Sequence, residues 1–105
     1  MNQPGKKNVP ELCVLALLAK TDCYGYDISD VLSRRIALAE GTVYPILRKL
    51  RAEGLLTTYL SEESGGPPRK YYKITELGQS EFRKGREEYL AYARNVQEIL
   101  LEEEA

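Results

Sequence analysis

Arg48 and Lys49, with Tyr44 beside them, and Arg69 and Lys70 further along the chain are the residues whose types and spacing suit a chemistry. That chemistry is recognition of a polyanion. Guanidinium and ammonium groups neutralise phosphates, and an arginine can also read the edge of a base. The first group lies in residues 40–56, EGTVYPILRKLRAEGLL. At about 100° per residue, Val43, Ile46, Leu47 and Leu50 share one side of a helix, while Gly41, Pro45, Arg48 and Ala52 lie opposite, flanked by Tyr44 and Lys49. Pro45 lacks an N–H and fits best in a first turn, so the spacing predicts a helix starting near Thr42 as N-cap and stopping at Gly54.

Other chemistries lack their residues. Histidine is absent, which removes the usual general base and the commonest metal ligand. No nucleophile with its base, phosphate-cradling glycine loop or metal-ligand cluster stands out, so no catalytic residue, metal site or cofactor is expected and the chain does not read as an enzyme. Cys13 falls in an apolar run, as a small hydrophobe does; Cys23 lies in the turn after it, where a redox role lacks a nearby second thiol.

The elements that position the cations can be read outward from them. Residues 56–60, LTTYL, are rich in strand formers; Ser64-Gly65-Gly66-Pro67-Pro68 breaks the run, and Arg69 to Ile74 reads as a second strand. A helix with an exposed basic face, followed directly by a hairpin with a basic, Gly/Pro-containing tip, is the local pattern of a winged helix-turn-helix. Upstream, Leu12 to Ala19 is apolar nearly all round and too short to span a bilayer, so it reads as a buried helix capped near Asn8 with Pro10 in its first turn. A turn around residues 21–25 follows. Tyr26 to Arg35, with Ile28, Val31 and Leu32 at helical spacing, reads as the supporting helix, and residues 36–40 as an irregular turn or a very short strand beside the wing.

From Thr75, a possible N-cap, the chain reads as one long helix. Phe82, Gly85, Tyr89, Tyr92, Val96 and Ile99 recur at three- and four-residue steps, widened by Ala93 and Leu100. Gly78 and Gly85 weaken the first turns as helix. A seam this long exceeds what a domain of 105 residues covers by itself, which predicts a two-fold homodimer. Leu12, Leu15, Phe82, Tyr89, Tyr92, Val96 and Ile99 are the expected interface. Dimer packing is the simpler reading of its aromatic residues, and a planar, largely apolar effector held there is the alternative. The fold class expected is mainly α with a small β-hairpin wing. Residues 1–74 would form the winged helix-turn-helix DNA-binding region and residues 75–105 the C-terminal dimerisation helix.

Charge follows the same division. Residues 1–40 carry five basic and five acidic side chains, residues 41–73 six and three, and residues 74–105 four and eight, so 0, +3 and −4 make up the overall −1. The positive excess coincides with the helix and wing. No secretory signal, lipidation motif or transmembrane run is present, and a cytoplasmic protein is expected.

The blocks YGYDI at 24–28, EGTVYPILRKLRAEGLL at 40–56 and GGPPRKYYKITELG at 65–78 together resemble the signature blocks of PadR-family transcriptional regulators, in order and spacing, over almost the whole chain. The short tail resembles the branch with a single C-terminal helix. The resemblance implies a winged-helix dimer, usually a repressor. The family's DNA-contacting positions match Thr42, Tyr44, Pro45, Arg48 and Lys49 in the helix and Gly65, Gly66, Arg69 and Lys70 around the wing. Val43 replaces a leucine common beside the tyrosine. Relatives that bind planar drugs hold them in a flat pocket of the dimer interface that includes a tryptophan; this chain has none, and Tyr89 matches its place.

These readings converge on a homodimeric transcription factor that binds a pseudo-palindromic site on double-stranded DNA, a repressor released by a small planar effector if it has one. The alternatives are a winged-helix adaptor that binds another protein and a dimeric small-molecule sensor without strong DNA preference.

Overall fold

The computed structural model describes residues 7–62 and 65–102, and the start of its first described helix is fixed by the residues just around it. The Asn8 side chain accepts from the Glu11 N–H at 2.9 Å, and the Glu11 carboxylate accepts from the Asn8 N–H at 3.0 Å. This reciprocal capping box, with Pro10 in the first turn, opens α1 (Val9–Lys20). A two-residue strand, β1 (Cys23–Tyr24), follows and leads directly into α2 (Gly25–Ile36). The expected turn at 21–25 therefore contains a strand, held by pairing with Tyr72 and Tyr71.

α2 ends at Ala37, a non-glycine residue with φ of 54°. Its N–H and that of Leu38 both turn back to the Leu32 carbonyl, the left-handed reversal that closes many helices. Residues 37–39 form an irregular turn; the very short strand considered there is the one at Cys23–Tyr24.

α3 spans Glu40–Ala52 with Ala39 as N-cap and no side-chain cap. It begins earlier than expected: Thr42 lies in the first turn, its N–H bonded to the Ala39 carbonyl at 2.9 Å. Pro45 consequently sits inside the helix, where it cannot donate to the Gly41 carbonyl. Val43, Leu47 and Leu50 are buried and Ile46 half-buried, as the apolar stripe requires. Gly54, at φ of 79°, turns the chain into β2 (Leu56–Ser61), which pairs antiparallel with β3 (Arg69–Ile74) from Leu56↔Ile74 to Ser61↔Arg69. The sheet order is β1-β3-β2. Ser64, part of the expected turn, lies outside the described residues.

α4 (Glu76–Leu101) opens on Thr75, whose hydroxyl accepts from the Gly78 N–H at 3.0 Å and donates to the Gly54 carbonyl at 2.8 Å. The cap thus also fastens the helix to the turn after α3. A side chain at Gly78 would collide with the Leu55 carbonyl and stand 2.7 Å from Ile74, and one at Gly85 would strike the tip of Leu12. Both glycines permit close approach, which outweighs their cost in helix propensity.

Leu15, Leu18, Ile28, Leu47, Leu50 and Leu56 centre the core, where all three N-terminal helices meet the sheet. Leu15 is fully buried there and Leu12 nearly so. These two residues of the expected interface are therefore covered by their own chain, because α1 lies between the sheet and α4 instead of beside the distal seam. Helices α2 and α3 with the β2–β3 hairpin form a winged helix-turn-helix, and no helix among the described residues is long and apolar enough to cross a membrane.

Candidate nucleic-acid interface

The core stripe of α3 fixes the direction of its opposite face. Burying Val43, Leu47 and Leu50 leaves Thr42, Tyr44, Pro45, Arg48 and Ala52 exposed. Tyr44 and Arg48, one turn apart, border a notch of about 350 Å³. Its other walls are Lys70 and Tyr72 from the wing and Tyr24, Gly25 and Tyr26 from the β1–α2 junction. Among the described residues, two cations and no acid line it.

Gly25 makes this convergence possible. A Cβ there would stand 3.3 Å from the Tyr72 ring and 3.4 Å from the Tyr44 ring, so the two phenols close over a bare backbone. Burial pushes the Tyr72 hydroxyl above its ordinary pKa, as does Tyr44, against the opposing influence of Arg51 and Arg48; Tyr72 stays neutral at physiological pH. α2 starts at this wall with no side-chain cap from Tyr24. Its first N–H groups and positive dipole end suit an anionic oxygen.

Arg69 and Lys70 are exposed at the tip end of the hairpin, opposite Ser61 and Leu60. Arg69 lies over the Tyr24 ring, 5.0 Å from its centre, and Lys70 enters the notch. Gly65 and Gly66 are exposed at the wing tip, Gly65 at φ of 72°, which favours glycine.

Lys49 is placed differently from its neighbour Arg48. Its ammonium donates to Glu11 at 2.5 Å, and the Glu11 side chain is 3% exposed. Burial pushes the Glu11 carboxyl upward, but the bonds from Lys49 and the Asn8 N–H and the charges of Lys49 and Lys7 outweigh it and hold the group below its ordinary value. The bond to Glu11 raises Lys49 in turn. Lys49 thus fastens α3 to α1. Sequence reasoning missed this, because Glu11 precedes the apolar run of Leu12 to Ala19 and nothing local marks it as buried. It also left Tyr24, Gly25 and Tyr26 out of the interface, although they stand in the first of the three blocks.

The expected dimer seam divides along α4. Phe82 packs against the core with Arg86 over its ring. Beyond it Tyr89, Tyr92, Val96 and Leu100 line a shallow groove of about 240 Å³ on one helix, and Tyr92, Ile99 and Leu100 are 65%, 67% and 75% exposed. Both cysteines are free and half-buried. Burial raises each thiol, and Asp27 and Asp22 raise that of Cys23 further, which disfavours the reactive thiolate.

A helix-turn-helix, a wing and a cationic notch between them are the parts of a DNA-reading module. The family model of the PadR-like transcriptional regulators matches residues 14–84, and the chain belongs to that family. A PadR-like transcriptional regulator from Bacillus cereus is 31% identical, with a TM-score of 0.83 over 90% of this chain and 94% of that one. A protein from Streptococcus mutans is 36% identical, with a TM-score of 0.83 over 95% and 93%. Bacillus subtilis PadR, solved in complex with operator DNA, is 27% identical with a TM-score of 0.64, over 73% of this chain and 46% of that one. A Lysinibacillus sphaericus protein is 35% identical over 71 residues, and the chain spans 65% of its length.

Proposed function

We propose that this protein is a cytoplasmic, DNA-binding transcriptional repressor that acts as a homodimer on a pseudo-palindromic operator. The observation that carries the reading is the convergence of Tyr44 and Arg48 with Lys70 on one notch, lined by no acid among the described residues, beside the N-terminus of α2. In this reading α3 enters the major groove, Arg48 meets a base edge, Lys70 and Arg69 meet phosphates, and the start of α2 receives a backbone phosphate. Residues 1–74 are the reader. Residues 75–105 pair two readers through the bare distal part of α4, so that each copy meets one half-site. A planar effector in the Tyr89–Tyr92 groove, closed by the second copy, would release the operator by changing the spacing of the two α3 helices. The Bacillus subtilis neighbour, solved in complex with operator DNA, supports DNA as the partner class.

Selection of bound fragments from random double-stranded DNA tests this. Enrichment of a two-fold symmetric sequence is the expected result. Retention of all sequences alike, or of none, would overturn it, and in the second case a protein partner for the same surface becomes the better reading.

A further inference from the structure

The sheet carries a row of tyrosines of which Tyr24 also borders the notch, while Tyr59 and Tyr71 lie outside it. Tyr59, Tyr71 and Tyr24 are register partners across β2, β3 and β1. The Tyr59 and Tyr71 rings stack at 5.7 Å with 17° between their planes, and Tyr71 meets Tyr24 at 6.2 Å. Both ends of the row are tied. The Tyr59 hydroxyl donates to Asp22, just ahead of β1, at 2.6 Å, and Arg69 covers Tyr24. Since side chains alternate along a strand, Arg69 and Tyr71 share the face of this row while Lys70 points to the notch.

The row thus joins the hairpin, including its outermost strand, to the β1–α2 junction, which also forms one wall of the notch. A two-stranded ribbon is otherwise free to twist and swing about its base. We propose that the Asp22–Tyr59–Tyr71–Tyr24 row is a clamp that fixes the wing relative to α3 and so sets where Lys70 stands beside Arg48, with Tyr71 as the central positioning residue. The proposal rests on the DNA-binding reading for its consequence, though not for its geometry.

The test uses the full chain, its selected DNA site and the variants Tyr71→Ala, Lys70→Ala, their combination, and Tyr71→Phe. Affinity is measured across a salt series, and amide hydrogen exchange is followed in the free protein. Losing one phosphate contact lowers the salt slope by about one. Tyr71→Ala is expected to lower it as Lys70→Ala does and to weaken binding by a similar factor, roughly threefold to tenfold. The combined variant should bind no more than about twofold worse than Tyr71→Ala, because a displaced wing has already lost the lysine's contact. Exchange should quicken in β2 and β3 and stay slow in α1 and α3, and Tyr71→Phe, which keeps the ring, should restore every property. Multiplying losses with an unchanged slope in Tyr71→Ala would overturn the clamp. A Lys70→Ala protein that binds as wild type would overturn the wing's part in DNA binding instead; unaltered wing exchange in Tyr71→Ala would overturn the clamp on its own.

Discussion

The two halves of α4 have similar apolar spacing and opposite surroundings. In the proximal half, glycines at 78 and 85 let the helix lie against the Leu55 backbone and Leu12, and Phe82 packs on the core. In the distal half, tyrosine, valine, isoleucine and leucine repeat at the same steps with little of their own chain to cover them. Small residues mark where the helix meets its own chain closely; the large ones beyond them stay bare and form the surface proposed for a second copy. One seam read from periodicity is therefore two surfaces with different jobs.

The sharpest way to break this comparison is to charge the distal surface. The Tyr89→Glu, Val96→Glu double variant is expected to stay folded, since neither side chain supports the core, yet to lose the homodimer, because burying unpaired carboxylates costs several kcal/mol. Its dimer dissociation constant should rise by more than ~100-fold in sedimentation. Unfolding would show that the distal half belongs to the core, and an unchanged dimer would place the two-fold contact elsewhere.

The converse change tests the proximal half. Gly78→Ala should destabilise the fold by about 1–3 kcal/mol, since the added methyl meets a backbone carbonyl that cannot rotate away. The gain of about 1 kcal/mol in helix propensity is too small to reverse this. Gly85→Ala meets only the flexible end of Leu12 and should cost less. Equal effects in denaturant melts would remove the distinction between a rigid and a yielding contact.

Glu11 and Lys49 offer a titratable version of the same contrast between support and recognition. The Glu11 carboxyl is held below its ordinary value of 4.5, so its contribution to stability is present above that pH and lost as pH falls through the lowered folded value. Lys49 is raised above 10.5; its contribution is present below that value and lost as pH climbs through the folded one. Melting wild type beside Glu11→Gln should show a gap of about 1–3 kcal/mol near neutrality that narrows below about pH 4.5. A gap independent of pH would mean that the charge pair does not hold α3 to α1. The smallest effect is expected at Ala37. Replacement by glycine relieves its left-handed backbone at the turn between α2 and α3, and the greater freedom of the unfolded chain offsets part of the gain, leaving a stabilisation under ~1 kcal/mol.

Local signals made much of this legible in the sequence. Asn8 and Pro10 at the start of α1, Thr75 before α4, the Val43–Leu50 stripe and the Gly/Pro break before Arg69 each act within a few residues of themselves, and the structure carries all of them. Contacts between distant segments were hidden. Cys23–Tyr24 is a strand only because Tyr71 and Tyr72 lie beside it, Ala39 starts α3 without any capping side chain, and the exposed Lys49 is tied to α1 only because Glu11 is buried within its reach. Arg48 and Lys49 look equivalent in sequence and both are exposed; a single residue of helical rotation brings Lys49 within reach of Glu11 and sets Arg48 beside the notch.

That difference leads to the most direct measurement. Affinity for the selected DNA site and for a scrambled duplex can be compared across a salt series for wild type, Arg48→Ala and Lys70→Ala. Arg48→Ala should erode discrimination between the two duplexes by about 1–3 kcal/mol, and Lys70→Ala should weaken both alike while lowering the salt slope by about one. Unchanged affinity, slope and discrimination in both variants would contradict the assignment of the notch between α3 and the wing as the DNA-reading surface.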